Sequence, residues 1–389
     1  MTLIVRDDPV RWVATGAVVF AVILVSACRT PPLAARMESP VRSFPPADER
    51  AEQELLRELN DRFRAYHGEY FSIVTDARPE EVAEFRKSAD ETYAAVQAFA
   101  AYLDFALRSP GRKLPVIVFA QWRDYQSWAG RAGIEADQAL PGFFDERTNR
   151  CVLFDYANLP LIKAKREELA SMREDLRSAA TATGGSPGMT TDQVRDMQDH
   201  IHRIETRLAL FEALVNQTVV RHEIAHQVLC SLGVIRPGDG RFWLKEGLAL
   251  QFETNSGLQH NQHRLNDFFA DDANASLANV RSLIGDPQRL TVGADRLPEA
   301  YASAGVLAAY LISRSSATFV GYLRSASARA DAVPERQARI AEFEAAFGPL
   351  DRDFELQFRG FVEGLRQGLG KAGDADQAGE WTQRKELQP

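Results

Sequence analysis

Two short segments, at residues 222–226 and 243–249, constrain the folding of this chain more than any other part of it. His222 and His226 are four positions apart, so on an α-helix they lie on one face with Cβ atoms about 5–6 Å apart. Glu223 adjoins the first histidine, and Glu246 follows the second by 20 positions. These side chains can act together only if two helical segments meet across a turn.

The surrounding sequence predicts that helix–turn–helix arrangement. Apolar residues at helical spacing flank the pentad, and glycines and a proline then interrupt the pattern before it resumes. The first helix has Phe211, Leu214, Val215, Val219, Val228 and Leu229, the turn has Gly233, Pro237, Gly238 and Gly240, and the second helix has Trp243, Leu244, Gly247, Leu248 and Phe252. Glu246 is therefore expected near the start of the second helix.

Two imidazoles and a carboxylate are the protein donors of one class of catalytic zinc site, in which the fourth position stays open. We expect one Zn²⁺ per chain, bound by His222, His226 and Glu246. Glu223 is placed to take a proton from zinc-bound water rather than to bind the metal. The pentad alone occurs by chance in unrelated chains, so the prediction depends on its helical setting and on Glu246.

The pentad and the segment Trp243–Ala249, Trp-Leu-Lys-Glu-Gly-Leu-Ala, together resemble the gluzincin metallopeptidases. The second segment is similar to the aminopeptidase-N group, whereas the organisation of residues 68–158 and 217–365 is closer to the peptidase-MA-like domains of bacterial envelope proteins. The resemblance implies that His222, His226 and Glu246 bind zinc. It also implies that Glu223 is the general base, and then the general acid, of peptide-bond hydrolysis.

The chain departs from the aminopeptidase group in one respect. It has no Gly-x-Met-Glu-Asn element, which in that group grips the free amino terminus of the substrate, so we expect endopeptidase-like cleavage. In related gluzincins a tyrosine or histidine downstream of the third ligand stabilises the oxyanion. Tyr301 matches that position, and the alternative is an aromatic side chain that packs in the helical core.

The remaining acidic and histidine candidates are weaker. Glu253 lies seven residues after Glu246, on the same helical face, where it could orient a ligating histidine; we instead expect a solvated helix charge. Five further histidines are expected on the surface: His67, His200, His202, His260 and His263.

The N-terminus resembles a bacterial lipoprotein signal peptide. Arg6 and Arg11 precede an apolar run of 16 residues, and Val-Ser-Ala-Cys ending at Cys28 resembles a lipobox. Because a membrane-spanning helix needs about 20 apolar residues, we expect cleavage after residue 27 and lipidation of Cys28, rather than an uncleaved transmembrane anchor. This predicts a protein of the bacterial cell envelope, lipid-anchored in the outer membrane and facing the periplasm.

The predicted fold class is α+β: a small mixed β-sheet with a helix, then a mostly helical zincin-like catalytic domain, with an inserted antiparallel helical hairpin. The predicted divisions are a signal peptide (1–27), a proline-rich tether (28–49), an α/β subdomain (50–158), the helical hairpin (159–216), a helical zinc-binding subdomain (217–369) and a disordered tail (370–389).

Within the α/β subdomain we predict a helix over 50–66, a strand Tyr70–Thr75, a helix Glu80–Leu107, a strand Leu114–Ala120, and a β-hairpin of Gly142–Asp145 with Cys151–Tyr156. The resemblance implies that one strand of this β-hairpin lines the cleft and binds substrate backbone by β-addition. Six helices are predicted after residue 257: Asn261–Ala270, Leu277–Ile284, Ala300–Arg314, Ala317–Ala328, Pro334–Phe347 and Asp351–Gln367.

In the predicted helical hairpin, a heptad stripe follows a capping box at Thr190 and Gln193. Its second arm could run directly into the helix of the pentad. We favour a supporting arm over a docking site for a protein partner, because heptad spacing is the only signal.

Composition narrows the function further. A net charge of −8 without a basic cluster argues against nucleic-acid binding.

Cys151 and Cys230 would share an oxidising compartment, where they could form a disulfide or remain as buried thiols. The alternatives to a peptidase are a zincin-fold lipoprotein that binds a partner without turnover, and hydrolysis of a non-protein amide such as a cell-wall peptide cross-link.

Overall fold

The computed structural model describes residues 44–134, 141–181, 190–238, 240–255, 257–290, 296–328 and 335–386. Within these residues the chain forms twelve α-helices and one five-stranded mixed sheet. The predicted α+β class is confirmed. The predicted signal peptide, Cys28 and most of the predicted tether lie outside the described residues. Among the described helices, none is both long and apolar enough to cross a membrane.

The sheet has five short strands in the order β1-β2-β3-β5-β4. β1 and β4 pair antiparallel to their neighbours, whereas β2, β3 and β5 run parallel to one another. The strands are β1 Arg64–His67, β2 Phe71–Thr75, β3 Leu114–Phe119, β4 Gly142–Asp145 and β5 Arg150–Phe154. β4 and β5 are the predicted β-hairpin, and β4 stands at the end of the sheet.

Helices cover both faces of this sheet because side chains alternate along each strand. In β3, Val116 and Val118 belong to one buried cluster, whereas Ile117 and Phe119 belong to the other. The first cluster includes most of the C-terminal helices, and the second includes the interior of the helical hairpin. The parallel centre of the sheet is therefore buried on both sides, as such strands require.

The helices are α1 Glu49–Glu58, α2 Pro79–Tyr102, α3 Trp122–Arg131, α4 Pro160–Thr181, α5 Thr191–Ser231, α6 Phe242–Ala249, α7 Gln262–Phe269, α8 Leu277–Gly285, α9 Leu297–Arg314, α10 Ser316–Ala328, α11 Arg336–Phe347 and α12 Arg352–Glu386. The six helices predicted after residue 257 all occur, with ends shifted by a few residues apart from α12. Helix α3 was not predicted.

The predicted helix over 50–66 is wrong in its second half. Helix α1 ends at Glu58, and the side chain of Asn60 accepts a hydrogen bond from the backbone of Arg62, which turns the chain. The residues that follow form β1, a half-exposed strand. Its mixed polar pattern has no clear period of two, so the sequence did not reveal the strand.

The predicted helical hairpin consists of α4 and the first half of α5. The capping box is present, since the Thr190 hydroxyl accepts from the backbone of Gln193 and the Gln193 side chain accepts from the backbone of Thr190. Helix α5 then continues for 41 residues and includes the pentad. The second arm of the hairpin is thus the same helix as the one that holds His222 and His226.

Helices α6 and α9 cross very closely at Gly247. A Cβ atom on Gly247 would lie 2.5 Å from the backbone oxygen of Ala304 and 3.0 Å from the Cβ of Ala308. Only glycine leaves room for this approach without displacing backbone. Because Glu246 precedes Gly247 and Tyr301 begins the facing part of α9, the crossing sets the separation of these two side chains.

Two further sequence predictions concern the cysteines and the chain end. Cys151 is buried with a free thiol, so no disulfide joins it to Cys230. Helix α12 extends to Glu386, where a disordered tail was predicted from residue 370. No proline precedes Pro389 in this segment, so no residue there lacks the backbone N–H that the helix needs. Residues 387–389 lie outside the described part.

Replacing Gly247 by alanine should destabilise the protein by about 1–3 kcal/mol, because the added methyl group forces α6 and α9 apart. Urea unfolding followed by circular dichroism would measure the change. The matched control is Gly364→Ala in α12, where no atom lies within 4 Å of the added Cβ; we expect it to be neutral or to stabilise by up to about 1 kcal/mol. Equal effects of both changes would contradict the tight crossing.

Candidate metal centre

The structure brings His222, His226 and Glu246 to one point between α5 and α6. His222 Nε2 lies 3.1 Å from His226 Nε2 and 3.1 Å from Glu246 Oε2, and His226 Nε2 lies 3.2 Å from the same oxygen. All three side chains are about nine-tenths buried. In the described part of the chain this is the one group of His, Cys, Asp or Glu side chains with the geometry to hold a metal ion.

The donor set fits a tetrahedral zinc ion. Bonds of about 2.0–2.2 Å would place neighbouring donor atoms about 3.3–3.5 Å apart, close to the three distances observed. His222 Nδ1 lies 3.0 Å from Glu253 Oε1, so this nitrogen bears the proton in neutral His222 and Nε2 presents a lone pair. The lone pair of His222 Nε2 then faces the Glu246 carboxylate, which is unfavourable unless a proton or a cation lies between them.

The pKa values of His222 and Glu246 also indicate that a positive charge is stabilised here. Burial lowers the pKa of His222, but hydrogen bonds with Glu246 and Glu253 and the charge of Glu223 outweigh it and raise the pKa to about 10. Burial raises the pKa of Glu246, but the two histidines outweigh it and hold that pKa well below its usual value. A metal ion would replace the proton on His222 Nε2, so protons and metal compete for this site.

Glu253 is buried, which corrects the expectation of a solvated charge. Besides its contact with His222, it accepts hydrogen bonds from Asn261 at 2.7 Å and from Arg264 at 2.8 and 3.0 Å. Burial raises the pKa of Glu253, but the Arg264 charge and the hydrogen bonds with His222 and Arg264 outweigh it and lower the pKa to about 2. Glu253 therefore stays ionised and fixes the tautomer and orientation of His222.

Glu223 lies between the candidate metal site and the edge strand β4. Its carboxylate accepts a hydrogen bond from the backbone N–H of Phe144. A Cβ atom on Gly142 would lie 3.2 Å from Glu223 Cγ and 2.8 Å from Val219 Cγ1, so glycine permits the strand to approach α5 this closely. Burial raises the pKa of Glu223, the two histidines lower it, and the net direction is upward.

The register of the β-hairpin shows which backbone groups of β4 remain available. Phe154 N–H donates to the Pro141 carbonyl, and residues along an antiparallel pair alternate between hydrogen-bonded and non-bonded positions. Phe143 and Val152 therefore form the next bonded pair. The backbone groups of Gly142 and Phe144 therefore point away from β5, and the Phe144 N–H faces Glu223. Of the two hairpin strands, β4 is therefore the one that lies against α5 at Glu223.

Tyr301 lies at the same centre, near the start of α9. Its ring centroid is 6.1 Å from that of His222, with the rings nearly perpendicular, and the Arg264 guanidinium lies 5.8 Å above the tyrosine ring. Burial, together with the charges of Glu246 and Glu223, raises the pKa of Tyr301 well above its usual value. The hydroxyl therefore stays protonated and can donate a hydrogen bond.

The other histidines lie apart from this centre. His200, His202, His260 and His263 are exposed, as expected, and His263 lies 3.7 Å from Asp267. His67 is also exposed and contacts Glu52 at 3.2 Å. Sequence reasoning missed Asn261 and Arg264 as partners of Glu253, because they lie in a segment with no recognisable motif.

Comparison with known proteins gives one partial match. Residues 216–332 match a family described as a protein of unknown function (DUF1570). The match spans less than a third of the chain and includes the pentad, Glu246, Glu253 and Tyr301. No curated protein and no solved structure matches the chain.

Replacing Glu253 by glutamine should weaken zinc binding about 10- to 100-fold, because His222 loses the carboxylate that orients it. Competition with a chelator would measure this, with the exposed Glu168→Gln as control.

Without zinc, the Glu253→Gln variant should also be less stable than the wild type by about 3–5 kcal/mol, since Arg264 loses its buried partner. This difference should be complete above about pH 4.5 and shrink as the pH falls towards 2, as the pKa of Glu253 is lowered to about 2 from 4.5. Unchanged zinc affinity would contradict the orienting role.

Proposed function

We propose that this protein is a zinc-dependent metallopeptidase of the gluzincin type that cleaves internal peptide bonds. The observation that supports this most directly is the convergence of His222, His226 and Glu246 within 3.1–3.2 Å, with a fourth ionisable side chain, Glu223, beside them. Bound zinc would supply Lewis acidity, which polarises a carbonyl and acidifies water to a pKa of about 7.

Substrate would bind as an extended strand along β4. The backbone groups of Gly142 and the Phe144 carbonyl, which do not pair with β5, would bond to the peptide, which is the β-addition mode of recognition. Such a peptide would lie beside Glu223, because Phe144 donates its N–H to that carboxylate. This placement requires no terminal amine, in keeping with the absence of a Gly-x-Met-Glu-Asn element.

Glu223 would accept the proton of the attacking water and then deliver it to the leaving amine. A general base works best when its pKa approaches the working pH. Burial raises the pKa of Glu223, which moves this carboxyl in the required direction. Tyr301, with its hydroxyl protonated, would donate a hydrogen bond to the oxyanion that forms at the scissile carbonyl.

The proposed location is the bacterial cell envelope, with the chain anchored by lipid at Cys28 and facing the periplasm. This rests on the N-terminal sequence pattern, since residues 1–43 lie outside the described part of the structure. The substrate would then be a peptide or protein that reaches the periplasm.

Metal analysis of the full-length protein should find about one zinc per chain. Glu246→Ala should lose or greatly weaken zinc binding because it removes a ligand, whereas Glu223→Gln should retain zinc because Glu223 is not a ligand. Peptide hydrolysis should disappear in Glu223→Gln. Full zinc occupancy in Glu246→Ala would contradict the ligand assignment. Zinc binding without any hydrolysis that depends on Glu223 would instead support a binding protein.

Replacing Tyr301 by phenylalanine should lower kcat about 100- to 1,000-fold, the usual effect of losing one oxyanion donor. Zinc content and KM should change little, because the hydroxyl acts mainly in the transition state. The matched control is Tyr310→Phe on the same helix, whose hydroxyl interacts with Gln357 at 3.5 Å and with Arg314. A normal kcat in Tyr301→Phe would leave packing as its role.

A further inference from the structure

The residues next to two of the proposed metal ligands hold the same β-turn. Gln227 follows His226 in α5, and Lys245 precedes Glu246 in α6. Both side chains reach the turn at residues 146–149, which joins the edge strand β4 to β5. We call these contacts, together with that of Ser231, the turn clamp.

The α5 side of the turn clamp consists of Gln227 and Ser231. The Gln227 amide donates to the Asn149 carbonyl at 2.7 Å and to the Pro115 carbonyl at 2.8 Å, and the residue is fully buried. The Ser231 hydroxyl donates to the Asn149 side chain at 3.2 Å. Asn149 has a left-handed backbone, with φ of 52°, which few residues other than glycine and asparagine adopt easily. Helix α5 thus holds the end of the turn at Asn149.

The α6 side of the turn clamp is the ion pair of Lys245 with Glu146. Lys245 Nζ lies 2.6 Å from Glu146 Oε1, and the side chains are 10% and 25% exposed. The other carboxylate oxygen of Glu146 accepts from the Gly238 N–H at 2.7 Å. Lys245 Nζ also lies 4.7 Å above the Phe242 ring. This pair is mostly shielded from water, so it is stronger than a surface ion pair.

The turn clamp makes the position of β4 depend on the spacing of α5 and α6. The same spacing sets how closely His222 and His226 approach Glu246. We infer that metal binding and the placement of the edge strand β4 are thermodynamically linked through the turn clamp. Bound metal would thereby strengthen the binding of an extended peptide on β4, and because such coupling is reciprocal, the peptide would strengthen metal binding by the same factor.

This inference rests on the metal site of the proposed function and extends it to the substrate edge. Its test is zinc titration of the full-length protein, with hydrogen exchange of the backbone amides at residues 142–146 measured with and without zinc. The variant is Lys245→Met, which removes the charge and keeps the aliphatic stem. Lys165→Met is the matched control, since it breaks the exposed pair with Glu168 on the helical hairpin.

In the wild type and in Lys165→Met, zinc should slow exchange at residues 142–146. In Lys245→Met this protection should be lost and zinc affinity should fall by on the order of tenfold, a typical coupling factor. Glu146→Gln removes the charge from the other end of the pair and should reproduce both effects. It also serves as the test if Lys245→Met does not fold.

Wild-type zinc affinity together with unchanged zinc-dependent protection in both clamp variants would overturn the linkage. Failure of the proposed function would look different. A wild-type protein that binds zinc but hydrolyses no peptide would end the peptidase proposal, while the same titration and exchange data would still decide the linkage. A wild type that binds no zinc would overturn both.

Discussion

The candidate metal centre holds electron-rich atoms so close together that it requires a positive charge among them. Two imidazole nitrogens and a carboxylate oxygen meet within 3.1–3.2 Å, nine-tenths buried, and like partial charges at such distances repel unless a positive charge lies between them. The surrounding fold holds the donor atoms in place. Glu253 holds the proton of His222 on the far side of the ring, and Arg264 in turn balances the charge of Glu253.

The parts of this centre that local pattern determines could be predicted from sequence. Four-residue spacing places His222 and His226 on one helical face, and the glycines and proline after residue 232 require the chain to turn before Glu246. The helical hairpin was predictable for the same reason, because its heptad stripe and the capping box at Thr190 are local signals. The ladder of β4 with β5 followed from a short polar turn between apolar strands.

The parts that depend on distant contacts could not be predicted. Glu253 has the same sequence pattern whether it is solvated or buried, and only Arg264 and Asn261, from a segment without a motif, decide between them. Lys245 resembles any exposed lysine until Glu146, about a hundred residues earlier, is placed beside it. Strand β1 has too little apolar alternation to be distinguished from the end of a helix, and its pairing with β2 supplies what its own residues do not.

The continuity of α5 has a mechanical consequence. A helix of 41 residues is about 60 Å long, and its first half forms the helical hairpin with α4 while its second half presents two histidines. No loop or glycine interrupts residues 191–231, so this helix has no hinge along its length. The helical hairpin can tilt only if α5 bends or if the imidazoles of His222 and His226 move with it. Torque applied at the far end would therefore be felt at His222, some tens of ångströms away.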